Sequence, residues 1–238
     1  MHIMMNNEHV ERVTGFYGTQ PISEKQVLDK LVQDGFDLSS LDQGILQDYD
    51  QEHCGGLAGT DTLARLVNIS RSTHILDVCC GLGGPARYLA HHYGSQVTGI
   101  DLNQSRVDGA IRLTAIVGLE EKVSFNRANA LSSALPSDEF DALISQEAFC
   151  HIPNKPRLLT ECVRLLKPGG LIAFTDILAT PSMTTTVRKR LLKEMTFAEL
   201  ETVAGYQVLL EASGCVLKKA EDLSEEWAQI LVERLAMY

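Results

Sequence analysis

Apolar and polar positions along the chain alternate between short β-type runs and stretches with helical spacing. His74-Ile75-Leu76-Asp77-Val78, Gln96 to Ile100, Val123 to Asn126, Phe140 to Ser145 and Leu171 to Thr175 are compact apolar or β-branched runs that predict five strands. Helical spacing begins at Arg87-Tyr88-Leu89-Ala90, spans Arg106 to Val117 with Gly118 closing it, and spans Lys155 to Leu166. Strand and helix in alternation predict an α/β fold, a mostly parallel sheet with helices on both faces. Beyond Asp176 the pattern predicts a helix over Thr184 to Glu201, a helix over Tyr206 to Ala212 stopped by Gly214, and a sixth strand over Cys215 to Leu223. A last amphipathic helix, Glu225 to Met237, places Trp227, Ile230, Leu231 and Leu235 on one side.

Ahead of the first strand the pattern is helical. Glu8 to Phe16 is a weak helical segment interrupted by Gly15, Gly18 and Pro21. Ser23 has the character of an N-cap with Gln26 three residues on, and Val27, Leu28, Leu31 and Val32 form a stripe that ends at Gly35. Thr60 to Val67 is the next predicted helix. Residues 1–56 are thus an added N-terminal helical segment, and residues 57–238 are the ligand-binding domain.

Composition narrows the class. The 238 residues suffice for one full α/β core. Lys and Arg number 21 against 31 Asp and Glu, a net charge of −10, which argues against a surface that tracks phosphates or binds anionic membranes. No apolar run reaches membrane-spanning length, and Met1 to Arg12 lacks a signal peptide's basic flank and apolar core, so a cytoplasmic location is expected. The six cysteines show no C-x-x-C pair and read as small buried residues; Cys79-Cys80, before a helix start, is a side candidate for a reactive thiol. No internal repeat or low-complexity segment is present.

The chemistry gathers at HILDVCCGLGGPARY, residues 74–88: strand, tight small-residue loop, helix. Gly81, Gly83 and Gly84 let a ligand approach the backbone, and the helix N-terminus presents unpaired N–H groups. The second strand ends in Asp101, about twenty residues after Gly81, the offset at which a carboxylate meets ribose hydroxyls. A nucleoside-containing ligand follows. Gly81-x-Gly83-x-x-Ala86 also fits a nicotinamide-binding loop, against which stands Asp77, whose carboxylate would repel a pyrophosphate and welcome an ammonium group.

ILDVCCGLGG followed by VTGIDLN resembles the first two motifs of the class I S-adenosylmethionine methyltransferases. SQEAFCHIPNKPRLLTECVRLLKPGGLIAFTDIL and the stretch Asp50-Gln51-Glu52-His53-Cys54-Gly55-Gly56 are most similar to the glycine, sarcosine and dimethylglycine N-methyltransferases, and the glycine loop also resembles sterol and tocopherol C-methyltransferases. The resemblance implies a Rossmann-like class I methyltransferase fold, S-adenosylmethionine as cofactor, and an N-terminal segment that covers the active site. It also implies a closing strand hairpin, for which no signal follows Leu223, so the last strand is expected to be missing. Cys79 stands where the first glycine usually sits, so its φ is expected to be negative.

On the same resemblance, Asp77, Cys79, Gly81, Gly83, Asp101 and Leu102 hold the cofactor. Asn129 and Ala130 replace the usual Asp-Ala, with the Asn129 amide oxygen accepting from the adenine amino group. Gln146 and Gln51 face the cofactor, while Glu147, His151, His53 and Tyr49 orient or deprotonate the acceptor. Ser145-Gln146 lacks the carboxylate that a catechol-type enzyme uses for Mg²⁺, so no metal is expected. The reading is transfer of a methyl group to a small-molecule acceptor, with nitrogen as the acceptor atom, no nucleic-acid or membrane partner, and a homodimer left open. A carbon or oxygen acceptor, a non-catalytic S-adenosylmethionine-binding protein and an oxidoreductase are the alternatives.

Overall fold

A computed structural model describes residues 7–18 and 23–235. The first six residues, Pro21 and Met237 lie outside the described residues, as does the side chain of Leu235. The strands β1 (His74–Val78), β2 (Gln96–Asp101), β3 (Val123–Arg127), β4 (Phe140–Gln146) and β5 (Leu166–Thr175) form one sheet in the order β3-β2-β1-β4-β5, with every neighbouring pair parallel. Between β1 and β4 the strand order reverses, which opens a crevice at the carboxyl ends of the strands. This is the expected Rossmann-like, class I methyltransferase arrangement.

Parallel strands need covered faces, and the burial bears that out. One face packs Ile75, Val97, Val123, Ala142 and Ile144 against α4 (Gly56–Leu66) and α5 (Gly84–Tyr93). The other packs Leu76, Val78 and Leu143 against α7 (Lys155–Leu165) and α9 (Val203–Ala212). Helix α6 (Gln104–Ile116) joins β2 to β3, and Leu113 on it meets Val27 and Leu31 of α2 (Glu24–Gln33). Ser23 caps α2 by accepting from the Gln26 N–H at 3.3 Å, as its spacing predicts. Val32, placed in the apolar stripe from sequence, is exposed.

Several expectations are corrected. Helix α1 (Asn7–Gly18) runs through Gly15, and α4 begins at Gly56, four residues before Thr60. No strand forms over Cys215 to Leu223. Val216 there is 81% exposed and the run Lys218-Lys219-Ala220-Glu221-Asp222 supplies no buried face, so there is nothing to hold a sixth strand against the sheet. The helix predicted from Thr184 ends early: α8 is Thr185–Glu194, and Thr196 at φ 54° turns the chain so that Phe197 and Leu200 bury against Cys150. The remaining helices are the short α3 (Gln43–Leu46) and α10 (Ser224–Leu235). No described helix is long and apolar enough to cross a membrane.

Candidate active site

At the crevice the loop after β1 passes through three left-handed positions, Cys79 (φ 63°), Gly81 (φ 54°) and Gly83 (φ 77°). The expected negative φ at Cys79 is therefore wrong. Alternating left-handed residues let the Cys80 N–H bond to the Ile100 carbonyl (3.0 Å) while the chain swings into α5, and the loop imposes that geometry even where a side chain is present. Gly83 is fixed sterically, since a Cβ there would lie 2.3 Å from the Phe125 ring. Burial, with Asp101 and Asp77 nearby, raises both the Cys79 and Cys80 thiols well above the ordinary range, which removes the reactive-thiol reading.

Above this loop lies a cavity of about 520 Å³. Asp77, at 2% exposure, projects into it from β1 with Oδ2 lacking any hydrogen-bond partner among the described residues. Burial and the neighbouring Asp101 push its pKa up to about 7. Asp101 Oδ2 accepts the Gly81 N–H (3.0 Å) and Oδ1 the Asn103 N–H (2.8 Å), which locks β2 to the glycine loop; burial still raises its pKa. Each oxygen retains a further lone pair for a ligand hydroxyl. Leu102 and Ala130 line the cavity, as does Asn129, whose amide oxygen accepts from the Leu131 N–H at 2.9 Å in a local Asx turn.

The loop before α4 is tied in by a relay of polar side chains. Arg87, wholly buried on α5, pairs with Asp50 (2.8 Å) and donates to the Leu82 carbonyl (2.7 Å). Asp50 accepts from Gln51 Nε2 (2.8 Å), and Gln51 Oε1 therefore faces His53 Nε2 (3.1 Å) as an acceptor, which places the His53 proton on Nε2. Thr60 then links His53 to Gln146 on β4, donated to by Gln146 Nε2 at 3.2 Å. His53 and Gln146 line the cavity; Gln51 and Gly83 stand behind the wall as supports. Glu147, held at φ 52°, accepts the Cys54 N–H on both carboxylate oxygens at 3.0 Å.

His151 ends a 3₁₀ turn (Phe149–His151) after β4. Its Nδ1 faces the Thr196 carbonyl at 3.4 Å and so carries the proton, leaving Nε2 to accept the Tyr17 hydroxyl at 2.8 Å. Burial, with His9 and Lys155 adding to it, lowers its pKa to about 4, so the imidazole is neutral at pH 7. The turn is anchored from below: the Cys150 N–H donates to Asp176 (2.8 Å), which also accepts the Tyr206 hydroxyl (2.6 Å), and Lys155 Nζ donates to the Ile152 carbonyl (2.6 Å).

Tyr49 does not join this group. It packs against Phe36, and its hydroxyl donates to Asp34 (2.9 Å) outside the cavity wall, so the expectation that it orients or deprotonates the acceptor is corrected. The aromatic hydroxyl at the site is Tyr17 of α1. Sequence reasoning missed it, although Val10, Val13 and Tyr17 at helical spacing, all lining the cavity, were the available signal. Glu52 and Arg106, an ion pair that joins the Leu82 N–H (2.9 Å) to the Tyr17 carbonyl (3.0 Å), were also missed.

Residues 76–174 match a family model described as a methyltransferase domain. The chain is 31% identical to Methyltransferase GfsG of Streptomyces halstedii over 70% of this chain and 61% of that protein. It is 32% identical to a glycine/sarcosine/dimethylglycine N-methyltransferase of Actinopolyspora halophila over 68% of this chain and 29% of that protein. The chain thus spans less than two thirds of these relatives' length. Its fold is shared with phosphoethanolamine N-methyltransferase 2 of Haemonchus contortus, solved in complex with S-adenosyl-L-methionine, at a TM-score of 0.76 and 18% identity over 94% of this chain and 49% of that one. With strand order, glycine loop and domain match in agreement, the chain is similar over residues 76–174 to the methyltransferase domain family and has the fold of the class I S-adenosylmethionine-dependent methyltransferases.

Proposed function

We propose that this protein binds S-adenosylmethionine in the cavity and transfers its methyl group to a small-molecule acceptor. The observation that carries the reading is the buried Oδ2 of Asp77, which has no hydrogen-bond partner among the described residues and sits beside Asp101, the acceptor of the Gly81 N–H of the glycine loop. A carboxylate oxygen in that state fits the cofactor's ammonium group, while Asp101 fits ribose hydroxyls and Asn129 and Ala130 the adenine edge. When bound, the cofactor supplies an electrophilic sulfonium methyl.

The chain's own residues would do the rest. Helix α1 and Leu191 of α8 line the cavity and would shield the methyl transfer from water. Residues 1–56 are proposed as the cap and 57–238 as the methyltransferase domain, although within the cap α1 lines the cavity and α2 packs behind it on α6. His151 Nε2 accepts the Tyr17 hydroxyl and so fixes it, which leaves the Tyr17 oxygen to accept from an acceptor N–H or O–H. Glu147, braced by Cys54, and His53, braced by Gln51, hold the side of the site nearest Gln146.

Nitrogen is the proposed acceptor atom, supported by the resemblance to amine methyltransferases. A carbon or oxygen acceptor is the second reading, favoured by the apolar wall that α1 and α8 provide. Turnover with methyl-labelled S-adenosylmethionine against a panel of amines, phenols and alcohols tests the proposal. Label is expected in a product, with the rate falling at least about tenfold in His151→Ala. Cofactor binding without product from any class would indicate a non-catalytic binder, and binding of NAD in place of S-adenosylhomocysteine an oxidoreductase.

A further inference from the structure

We infer that the methyl acceptor has an apolar body and carries no phosphate or carboxylate group. This rests on the proposed methyl transfer and specifies its substrate class. The cavity lining includes Val10, Val13 and Phe16 of α1, Ile152 after β4, and Leu191 and Phe197 after β5, beside the polar His9, Thr14, Tyr17 and His151. The apolar side chains among these offer dispersion and burial but no hydrogen-bond donor to an anion.

Cations do not make up for this. Arg106 is the one Lys or Arg among the described lining residues; it pairs with Glu52, donates to the Tyr17 carbonyl at 3.0 Å and lies 5.7 Å from the Tyr17 ring centre. Lys155, behind the wall, directs Nζ to the Ile152 and Glu199 carbonyls. His9 donates from Nε2 to the His151 carbonyl and accepts from Arg12 at Nδ1, and His151 is neutral.

Of the carboxylates in the lining, Asp50 pairs with the buried Arg87 and Glu52 with Arg106, and neither Asp77 nor Asp101 has an ion-pair partner among the described residues. An anionic acceptor would therefore be stripped of water with no unpaired Lys or Arg among the described lining residues to meet it, and only the donor's own sulfonium would offset its charge. Glycine, sarcosine and dimethylglycine, named for the Actinopolyspora halophila relative, each carry a carboxylate, so this chain is expected to differ from that relative in its acceptor.

The test uses the full chain saturated with S-adenosylhomocysteine, with that saturation first established by calorimetry. The neutral fluorophore N-phenyl-1-naphthylamine is bound and then displaced at pH 8 by 1-decanol, decanoate or decyl phosphate, three ligands that share one alkyl body. Decanol is expected to displace it at a concentration at least about tenfold below either anion, and dimethylglycine is expected not to displace it at all. Met195 lines the cavity yet is 43% exposed, so Met195→Arg adds a cation with little risk to folding; it is expected to improve decanoate at least about threefold. Decanoate or decyl phosphate matching decanol, no fluorophore binding to the saturated protein, or no change in Met195→Arg would each overturn the inference. Failure of S-adenosylhomocysteine to bind at the outset would instead overturn the methyl-transfer reading.

Discussion

Asp77 is the residue at which stability and binding oppose each other. Its pKa of about 7 in the folded chain exceeds the ordinary 3.8, so on raising the pH the unfolded state loses its proton first. Stability from this group is complete below about pH 4 and is lost as pH rises to about 7, a swing on the order of 4 kcal/mol at most. Asp77→Asn should flatten that pH dependence and raise the melting temperature at pH 8, measured by thermal denaturation without ligand. Cofactor binding runs the other way, because an ammonium group needs the ionised carboxylate. Affinity for S-adenosylhomocysteine should therefore rise between pH 6 and pH 8 in the parent protein and stay level in Asp77→Asn. Cys79 gives a second residue-scale outcome: at φ 63° a side chain is strained, and Cys79→Gly should be neutral to stabilising by up to about 1 kcal/mol, or about 2–4 °C in melting temperature. The motif spacing around Asp77 was readable in the sequence. The φ of Cys79 was not, since it follows from the Cys80–Ile100 bond and not from the identity of residue 79.

Among the elements, α1 and the loop ahead of α4 decide how the site is assembled. The Arg87–Asp50 pair is fully buried and also braces the Leu82 carbonyl, so Asp50→Asn leaves a guanidinium without its counter-charge. A loss of about 3–5 kcal/mol is expected by chemical denaturation, with weaker cofactor binding because the Gln51–His53–Gln146 relay loses its anchor. Tyr17→Phe removes one hydrogen bond to His151 Nε2; kcat should fall by about 1 kcal/mol, near fivefold, while the dissociation constant of S-adenosylhomocysteine holds. An equal loss in both would mean that Tyr17 serves the cofactor and not the acceptor. Strands β1 to β4 were legible because buried parallel strands are short apolar runs with sharp ends. Helix α1 was legible only as a weak pattern, since its apolar face is completed by a cavity instead of a core, and the sequence therefore pointed to Tyr49 where the cavity is lined by Tyr17.

For the whole molecule, the sheet order and the crevice where it reverses bring together residues as distant as Tyr17, Asp77 and His151. Local sequence carried the glycine loop, Asp101 and the run from Ser145 to Asp176, and with them the fold class. What it could not carry were pairings between distant segments, such as Glu52 with Arg106 or Asp176 with Tyr206, and the absence of a sixth strand over Cys215 to Leu223. Titration calorimetry of the full chain with S-adenosylhomocysteine tests the central claim, that Asp77 and Asp101 jointly hold an adenosyl amino acid. One site per chain is expected, with Asp101→Ala weakening it by about 1–3 kcal/mol, roughly 5-fold to 150-fold. No heat with a folded parent protein, or an unchanged dissociation constant in Asp101→Ala, would contradict it.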